Sequence, residues 1–316
     1  MLLVCGLILA AFPAAALAQF KELEIDKGAT LGREATQRIK VGVVVRADGG
    51  NFFRIVATAP VPTDWPEQRA RIVNEDVSTS VTSLTYRTIP GGGGVKQMVV
   101  EIPQLAAGQE AKALITFEVT RSALVAPADT SLFHIPKKLD RQLQINIGPS
   151  PYIETRHARI VAAAREAVAD KETDWEKVEA IYDWVREHVV YKTGPLKGAA
   201  RALHDKTGDA DELASLFIAM CRAQKIPART VFILGHVYAE FYLEDEDGKG
   251  HWFPCETAGA RSFGGIDDLH PILQKGDNFK NPEDTHERQR FVTEYFNASG
   301  RSGKPVVKFV SELVAE

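Results

Sequence analysis

The first third of the chain alternates apolar and polar residues with a period of two. Segments rich in β-branched residues carry this pattern, at residues 39–45, 52–57, 81–88, 97–102 and 113–119. Turns containing glycine or proline separate them, including a run of glycines at 91–94. Several short strands with no helix between them predict an antiparallel β-sandwich over residues 19–125.

The periodicity changes to that of α-helices after residues 126–154, a stretch containing several prolines that we interpret as a linker. One helix is predicted over residues 155–169. A second opens at Thr173 with Glu176 three residues on, the spacing of a capping box. The apolar residues of this second helix recur at helical spacing, at Val178, Ile181, Tyr182, Val185 and Val189. A third helix is predicted from about Asp209 to about Gln224.

Strand-like segments follow these helices, at residues 229–234, 236–243 and 251–257. The order of strands, helices and strands predicts an α+β domain over residues 155–316, following the all-β domain. The tail after Arg261 shows no recognisable chemistry, and we interpret it as structural.

The segment that begins at His236 has apolar residues at odd positions and polar residues at even positions, which predicts a strand with one polar face. The charged, glycine-containing run 244–250 predicts a hairpin loop that returns the chain antiparallel. Residue 256 or 258 then lies opposite His236, and in both cases Glu256 shares the face of His236. Opposed side chains on one face lie about 5 Å apart, so the imidazole and the carboxylate can meet.

The composition is that of an ordinary globular protein, with 45% hydrophobic and 25% charged residues. A net charge of -4 and the lack of a basic run give no reason to expect a nucleic-acid partner. The acidic loop 244–250 lacks the spacing of an EF-hand, and neither a His-Glu-x-x-His motif nor a complete zinc-deaminase signature is present. We therefore predict neither a metal nor a cofactor.

Residues 2–18 are apolar and uncharged and end in Ala16-Leu17-Ala18, a small-x-small site. They predict a secretory signal peptide, residues 1–18, cleaved before Gln19. The protein is then exported, periplasmic or extracellular, with no membrane span after cleavage. The missing basic residue before the apolar stretch favours a true start upstream of Met1. A membrane anchor is the alternative, although such an anchor needs about 20 apolar residues.

The third predicted helix opens in a sequence motif that carries more information than the periodicity. The motif is the sequence Gly208-Asp209-Ala210-Asp211-Glu212-Leu213-Ala214. The later predicted strands contribute His236 and the sequence Trp252-Phe253-Pro254-Cys255-Glu256-Thr257. Over about residues 175–260 this resembles a bacterial transglutaminase-like domain, a branch of the papain-like cysteine-enzyme fold. The motifs of that family run Gly-x-Cys-x-(Asp/Glu)-x-Ala, His-x-Trp-x-Glu and Asp-x-Thr. The resemblance implies a papain-like transglutaminase core, with helices packed on an antiparallel sheet.

The same resemblance aligns Ala210 with the catalytic nucleophile, His236 with the general base and Glu256 with the acid that orients the base. Tyr238 stands where the family usually has Trp, and Glu256 stands where it usually has Asp. A thiol at position 210 would lie at a helix N-terminus, where the macrodipole lowers a thiol pKa. The methyl group of Ala210 cannot attack a substrate.

Neither Cys221 nor Cys255 is expected to replace the missing nucleophile. Cys221 follows position 210 at about 16 Å along the helix axis, and Cys255 points to the face opposite that of Glu256. We interpret both as buried core residues, with a single disulfide between them as the alternative.

These features predict an exported pseudoenzyme that binds protein or peptide segments in a transglutaminase-like cleft. One alternative is an active acyl-transfer or hydrolytic enzyme of the transglutaminase or cysteine-protease type. Another is a structural interaction module in which the sandwich binds the partner, and His236 and Glu256 merely pair on a sheet face. The sequence indicates neither the identity of the partner nor the oligomeric state.

Overall fold

The structure is a computed structural model that describes residues 27–91, 93–284, 286–300 and 302–314. The predicted signal peptide, residues 1–18, lies outside the described residues. Within the described ranges, no helix is both long enough and apolar enough to cross a membrane.

Two four-stranded antiparallel sheets form the predicted β-sandwich. The first has the order β17-β1-β6-β3 and consists of β1 (Thr30–Arg46), β3 (Gln68–Val77), β6 (Glu110–Val125) and β17 (Val306–Val314). The second has the order β16-β2-β5-β4 and consists of β2 (Phe52–Val61), β4 (Ser83–Thr88), β5 (Lys96–Leu105) and β16 (Tyr295–Gly300). Alternate residues of β1, from Ile39 to Val45, are buried against the apolar face of the second sheet. The period of two in the sequence therefore marks the core of the sandwich.

The last two strands belong to these sheets, although residues 155–316 are predicted to form the C-terminal domain. β17 pairs with β1, with Phe309 opposite Val43, and β16 pairs with β2, with Tyr295 opposite Thr58. Each of the two strands covers the outer edge of one sheet. A local alternation pattern identifies a strand but not its partner, so the sequence does not reveal this distant pairing.

The C-terminal domain packs helices on a five-stranded antiparallel sheet. Its helices are α1 (Arg141–Gln144), α2 (Ala158–Ala167), α3 (Asp174–His188), α4 (Ala199–Asp205) and α5 (Ala210–Ala223). Its sheet has the order β12 (Ser262–Phe263), β11 (Gly250–Glu256), β10 (His236–Glu244), β9 (Ala228–Ile233) and β13 (Ile272–Lys275). Two short pairs complete it, β7 (Val190–Tyr191) with β8 (Thr207–Gly208) and β14 (Phe279–Lys280) with β15 (Arg288–Gln289). The predicted α+β fold class is confirmed.

The connecting stretch 126–154 is packed against the C-terminal domain. Phe133 is fully buried and contacts the rings of Trp175 in α3 and Phe253 in β11. The stretch also contains α1, which begins where the Asp140 carboxylate accepts the Leu143 N–H at 2.7 Å. A helix of a single turn has too little periodicity to be recognised in the sequence.

The predicted capping box at the start of α3 is confirmed. The Thr173 hydroxyl accepts the Glu176 N–H, and the Glu176 carboxylate accepts the Thr173 N–H. One face of the helix is buried in the domain core, at Trp175, Val178, Ile181, Tyr182 and Val185. The capped start and the buried face together fix α3 in the domain core.

The two faces of β10 meet different parts of the molecule. The odd positions pack with α5 in the core of the C-terminal domain, at Val237, Ala239, Phe241 and Leu243. The even positions Tyr238 and Glu240 are only 0% and 1% exposed, because the sandwich covers them. Arg121 of β6 donates a hydrogen bond to the Tyr238 hydroxyl at 3.1 Å. The polar face predicted for this strand is therefore largely an interface between the two domains.

A buried charge network crosses the same interface. Lys275 of β13 donates to Glu67 of the sandwich at 2.5 Å and to Glu240 of β10 at 2.6 Å. Arg229 pairs with the second oxygen of Glu240 at 2.6 Å. Burial acts to raise the pKa of Glu240, but the charges of Arg229 and Lys275 outweigh it and lower that pKa to about 2. Glu240 therefore stays ionised at neutral pH, and the network links the two domains.

Candidate functional site

Ala210 lies in the first turn of α5, as predicted. Asp209 is the N-cap, and its carboxylate accepts the N–H groups of Asp211 at 2.9 Å and Glu212 at 3.4 Å. The helix begins here because an aspartate that accepts first-turn amides is a favoured N-cap. Ala210 is half-buried and packs against the domain core. A side chain at this position stands at the positive end of the helix dipole.

The Glu212 side chain holds the turn before α5 from the inside. Glu212 is 1% exposed, and its carboxylate accepts the N–H groups of Asp209 at 3.1 Å and Lys197 at 2.8 Å. Burial and the nearby Asp209 raise the pKa of Glu212. Gly208 is required beside it, because a Cβ at that position would lie 2.5 Å from the Glu212 Cβ. These two residues of the motif therefore shape the backbone around position 210.

His236 and Glu256 meet on adjacent strands. β10 and β11 pair antiparallel with Ala239 opposite Cys255, and the same register continued by three residues places Ala258 opposite His236. His236 Nε2 lies 2.6 Å from Glu256 Oε2, within a charge-assisted hydrogen bond. The predicted contact between the two side chains is present in the structure. Their role in catalysis stays a prediction.

Glu256 is held in place by its own strand and by α3. Its Oε1 accepts the Ala258 N–H at 2.9 Å, and its backbone carbonyl accepts the Tyr182 hydroxyl at 2.7 Å. Arg186 donates to the same carbonyl at 3.3 Å. Burial raises the pKa of Tyr182 to about 12, so this phenol remains a donor over the physiological range. The carboxylate that meets His236 is thus oriented by neighbours that do not themselves touch the imidazole.

The hydrogen bond from His236 to the Glu256 carboxylate raises the pKa of His236, and burial, which acts to lower that pKa, does not cancel this effect. The negative charges of Glu256, Asp268 and Asp211 act in the same direction as the hydrogen bond. Nε2 is engaged by a carboxylate and therefore carries a proton, which leaves Nδ1 as the basic nitrogen of the neutral ring. No described residue forms a hydrogen bond with Nδ1.

Arg290 joins the first turn of α5 to the sheet. Its guanidinium donates to Asp211 Oδ1 from Nη2 at 2.7 Å and from Nε at 3.1 Å, and it lies 5.6 Å over the Phe232 ring. Phe232 of β9 is opposite Val237, the residue after His236. The start of α5 and the start of β10 therefore lie close together. Arg290 belongs to the tail interpreted as structural, and no motif in the sequence identifies it.

The two remaining cysteines of the described chain are unsuited to replace a nucleophile. Cys221 and Cys255 are free thiols with 0% exposure, in the core between α5 and the sheet. Burial raises the pKa of both thiols well above the usual range, so neither forms a thiolate at neutral pH. The alternative of a disulfide between them is not what the structure shows. Within the described residues, no group of His, Cys, Asp or Glu side chains is arranged to hold a metal ion.

A helix N-terminus beside a His–carboxylate pair on an antiparallel sheet is the arrangement found in papain-like cysteine enzymes. Residues 161–257, from α2 to the end of β11, match the family model of the transglutaminase-like superfamily. The chain therefore contains a transglutaminase-like domain in this range.

Comparison with solved structures extends the similarity beyond this domain. The chain resembles a candidate cysteine protease from Cytophaga hutchinsonii with a TM-score of 0.54 and 19% sequence identity, over 88% of this chain and 92% of that one. A candidate protease from Parabacteroides distasonis gives a TM-score of 0.28 and 11% identity, over 65% of this chain and 60% of that one. No curated protein matches the sequence. At this level of identity, the first similarity establishes the fold of the chain alone.

Proposed function

We propose that this is an exported transglutaminase-like protein that binds protein or peptide segments between α5 and β10 without turning them over. The observation that carries the proposal is the ordered His236–Glu256 pair; the resemblance assigns the nucleophile position to Ala210, at the start of α5, and its methyl group cannot attack a substrate. Removing a triad nucleophile costs roughly a million-fold in turnover in a comparable system. Because Cys221 and Cys255 are buried, they do not restore this loss.

The ligand that we propose is a polypeptide. A cysteine protease or transglutaminase acts on polypeptide, and the whole-chain similarity to a candidate cysteine protease supports a polypeptide ligand here. Export is supported by the apolar segment 2–18 and by the small-x-small site at its end. The protein then acts outside the cytoplasm as a binding module built on an enzyme fold.

The proposal is tested by returning the thiol to the site. In the Ala210→Cys variant, the N-terminus of α5 and a protonated His236 both stabilise a thiolate. We expect the new thiol to react with iodoacetamide at neutral pH much faster than a free cysteine. The matched control is Ala167→Cys. Ala167 is also half-buried, but it lies at the C-terminal end of its helix, α2, whereas Ala210 lies at the N-terminal end of α5. The thiol of this control variant meets the negative end of a helix dipole and should react slowly.

Turnover and binding are measured on the same proteins with N,N-dimethylcasein and a fluorescent primary amine. Wild type should bind immobilised dimethylcasein without incorporating the amine, and Ala210→Cys should gain incorporation. Ala210→Gln, which places a larger side chain at the start of α5, should weaken binding, whereas Ala167→Gln should not. Amine incorporation or casein cleavage by the wild type, inhibited by iodoacetamide, would overturn the proposal. A wild type that binds no better than Ala210→Gln would overturn the binding role.

A further inference from the structure

The sandwich holds a segment of the C-terminal domain, residues 266–272, at both of its ends. Leu124 of β6 and Ile266 exchange backbone hydrogen bonds of 2.9 and 2.7 Å. The Gln68 side chain accepts the Ile272 N–H at 2.6 Å and donates to the Ile272 carbonyl at 3.0 Å. We call residues 266–272 the held segment.

Arg121 forms a hydrogen bond and an ion pair with the middle of the held segment. It is opposite Gln68 in the pairing of β3 with β6, so the two side chains lie side by side. Its Nη1 donates to the His270 carbonyl, and the same atom lies 3.6 Å from Asp268 Oδ1. The side chain of Arg121 is 1% exposed, and its Nε is buried with no partner among the described residues. Burying a guanidinium is costly unless it is paired, and the partners of Arg121 belong to the held segment and to Tyr238 of β10.

The held segment is connected to His236 by one electrostatic interaction and by one strand pairing. Asp268 is one of the carboxylates whose charge acts on the imidazole, together with Glu256 and Asp211. The segment ends at Ile272, which pairs with Ile233 of β9, and Ile233 is opposite His236. Asp211 is paired with Arg290, so Asp268 and Asp211 each have an arginine beside them.

We propose that Arg121 is a positioning residue through which the sandwich sets the protonation equilibrium of the His236 ring. It does so by compensating the charge of the Asp268 carboxylate and by orienting that carboxylate. The sandwich then contributes to the site through Arg121. The proposal does not rest on the binding function, because the state of His236 can be observed directly in the wild-type protein.

The test is an NMR titration of the His236 ring, assigned with His236→Gln, in the full chain. Arg121→Met leaves Asp268 uncompensated and should move the His236 midpoint upward by about half a pH unit, the scale expected for one charge several ångströms away. Asp268→Asn should move it downward. In the double variant, Arg121→Met should raise the midpoint by less than it does when Asp268 is present, since the part of the effect that comes from orienting Asp268 is then lost. Arg87→Met is the control, because the partners of Arg87 are Gln97 and Glu283, outside the held segment.

A purely structural role for Arg121 would lower the melting temperature and leave the His236 midpoint where it is in the wild type, and that result overturns the proposal. An equal shift for Arg121→Met with and without Asp268 overturns it as well. If Arg121→Met does not fold, Asp268→Asn and Arg121→Lys decide the question. Asp268→Asn must still move the midpoint downward, and Arg121→Lys, which keeps the charge, must leave it near the wild-type value.

Discussion

Glu256→Gln should remove a pH-dependent part of the stability of this protein. The wild-type hydrogen bond from His236 to Glu256 spans 2.6 Å, and the two side chains are 33% and 15% exposed. A hydrogen bond to a charged group contributes about 1.5–3 kcal/mol when it is buried, and partial exposure reduces this one to about 1 kcal/mol.

The sign follows from the direction of the shift. The pKa of His236 is raised in the folded protein, so the stabilisation is fully present below the unfolded value of about 6.5. It is lost as the pH rises through the folded pKa. We therefore expect Glu256→Gln to unfold about 1 kcal/mol more easily than wild type at pH 5.5, with the difference nearly gone at pH 8.5.

Urea unfolding followed by tryptophan fluorescence at the two pH values measures this difference, provided that the m-value is unchanged. The control is the same substitution in a His236→Gln background, where no titrating imidazole remains and the pH-dependent part should vanish. A penalty of equal size at both pH values would refute the reasoning, since the contact would then be an ordinary neutral hydrogen bond.

Two further predictions concern the core. Asp277→Asn should destabilise the protein by about 3–5 kcal/mol, because it leaves Arg222 buried and uncompensated; the two side chains are 1% and 0% exposed and 2.8 Å apart. Burial acts to raise the pKa of Asp277, but the charge of Arg222 outweighs burial and lowers that pKa. A loss of unfolding free energy below about 1 kcal/mol, measured by urea unfolding, would contradict this account. In a chain beginning at Gln19, Cys221 and Cys255 should not react with a chromogenic disulfide reagent in the folded state and should react fully in urea. Rapid reaction in the folded state would mean that the core opens around them.

The sequence predicts those parts of the fold that depend on neighbours along the chain. The capping box of Thr173 and Glu176 spans one helical turn, so its residues identify it directly. His236 and Glu256 are joined by a single hairpin, and strand alternation assigns their common face without knowledge of the turn. The contact between them therefore follows from the alternation alone.

The parts that the sequence does not predict depend on contacts between distant segments. The charge of Asp268 acts on His236, Arg121 pairs with Asp268, and Arg290 pairs with Asp211. Asp268, Arg121 and Arg290 lie in no motif, and only the folded chain forms these contacts. The polar residues on β10 suggest a partly solvated face, because alternation reports polarity and does not report what covers it. Here a second domain covers that face, with paired arginines and carboxylates in place of water.

The return of β16 and β17 to the sandwich makes the transglutaminase-like domain an insertion within a β-sandwich. A chain that folds as it is synthesised completes local units first, so the inserted domain can form while both sandwich sheets still lack an edge strand. Until residues 295–314 are available, β1 and β2 present open edges, which are prone to pairing with other chains. The closing step joins β1 to β17, the first and last strands of the described residues, over a pairing from Arg38 with Val314 to Arg46 with Val306. Loss of residues 295–314 would leave both sheets with an open edge at once, and we expect it to cause aggregation.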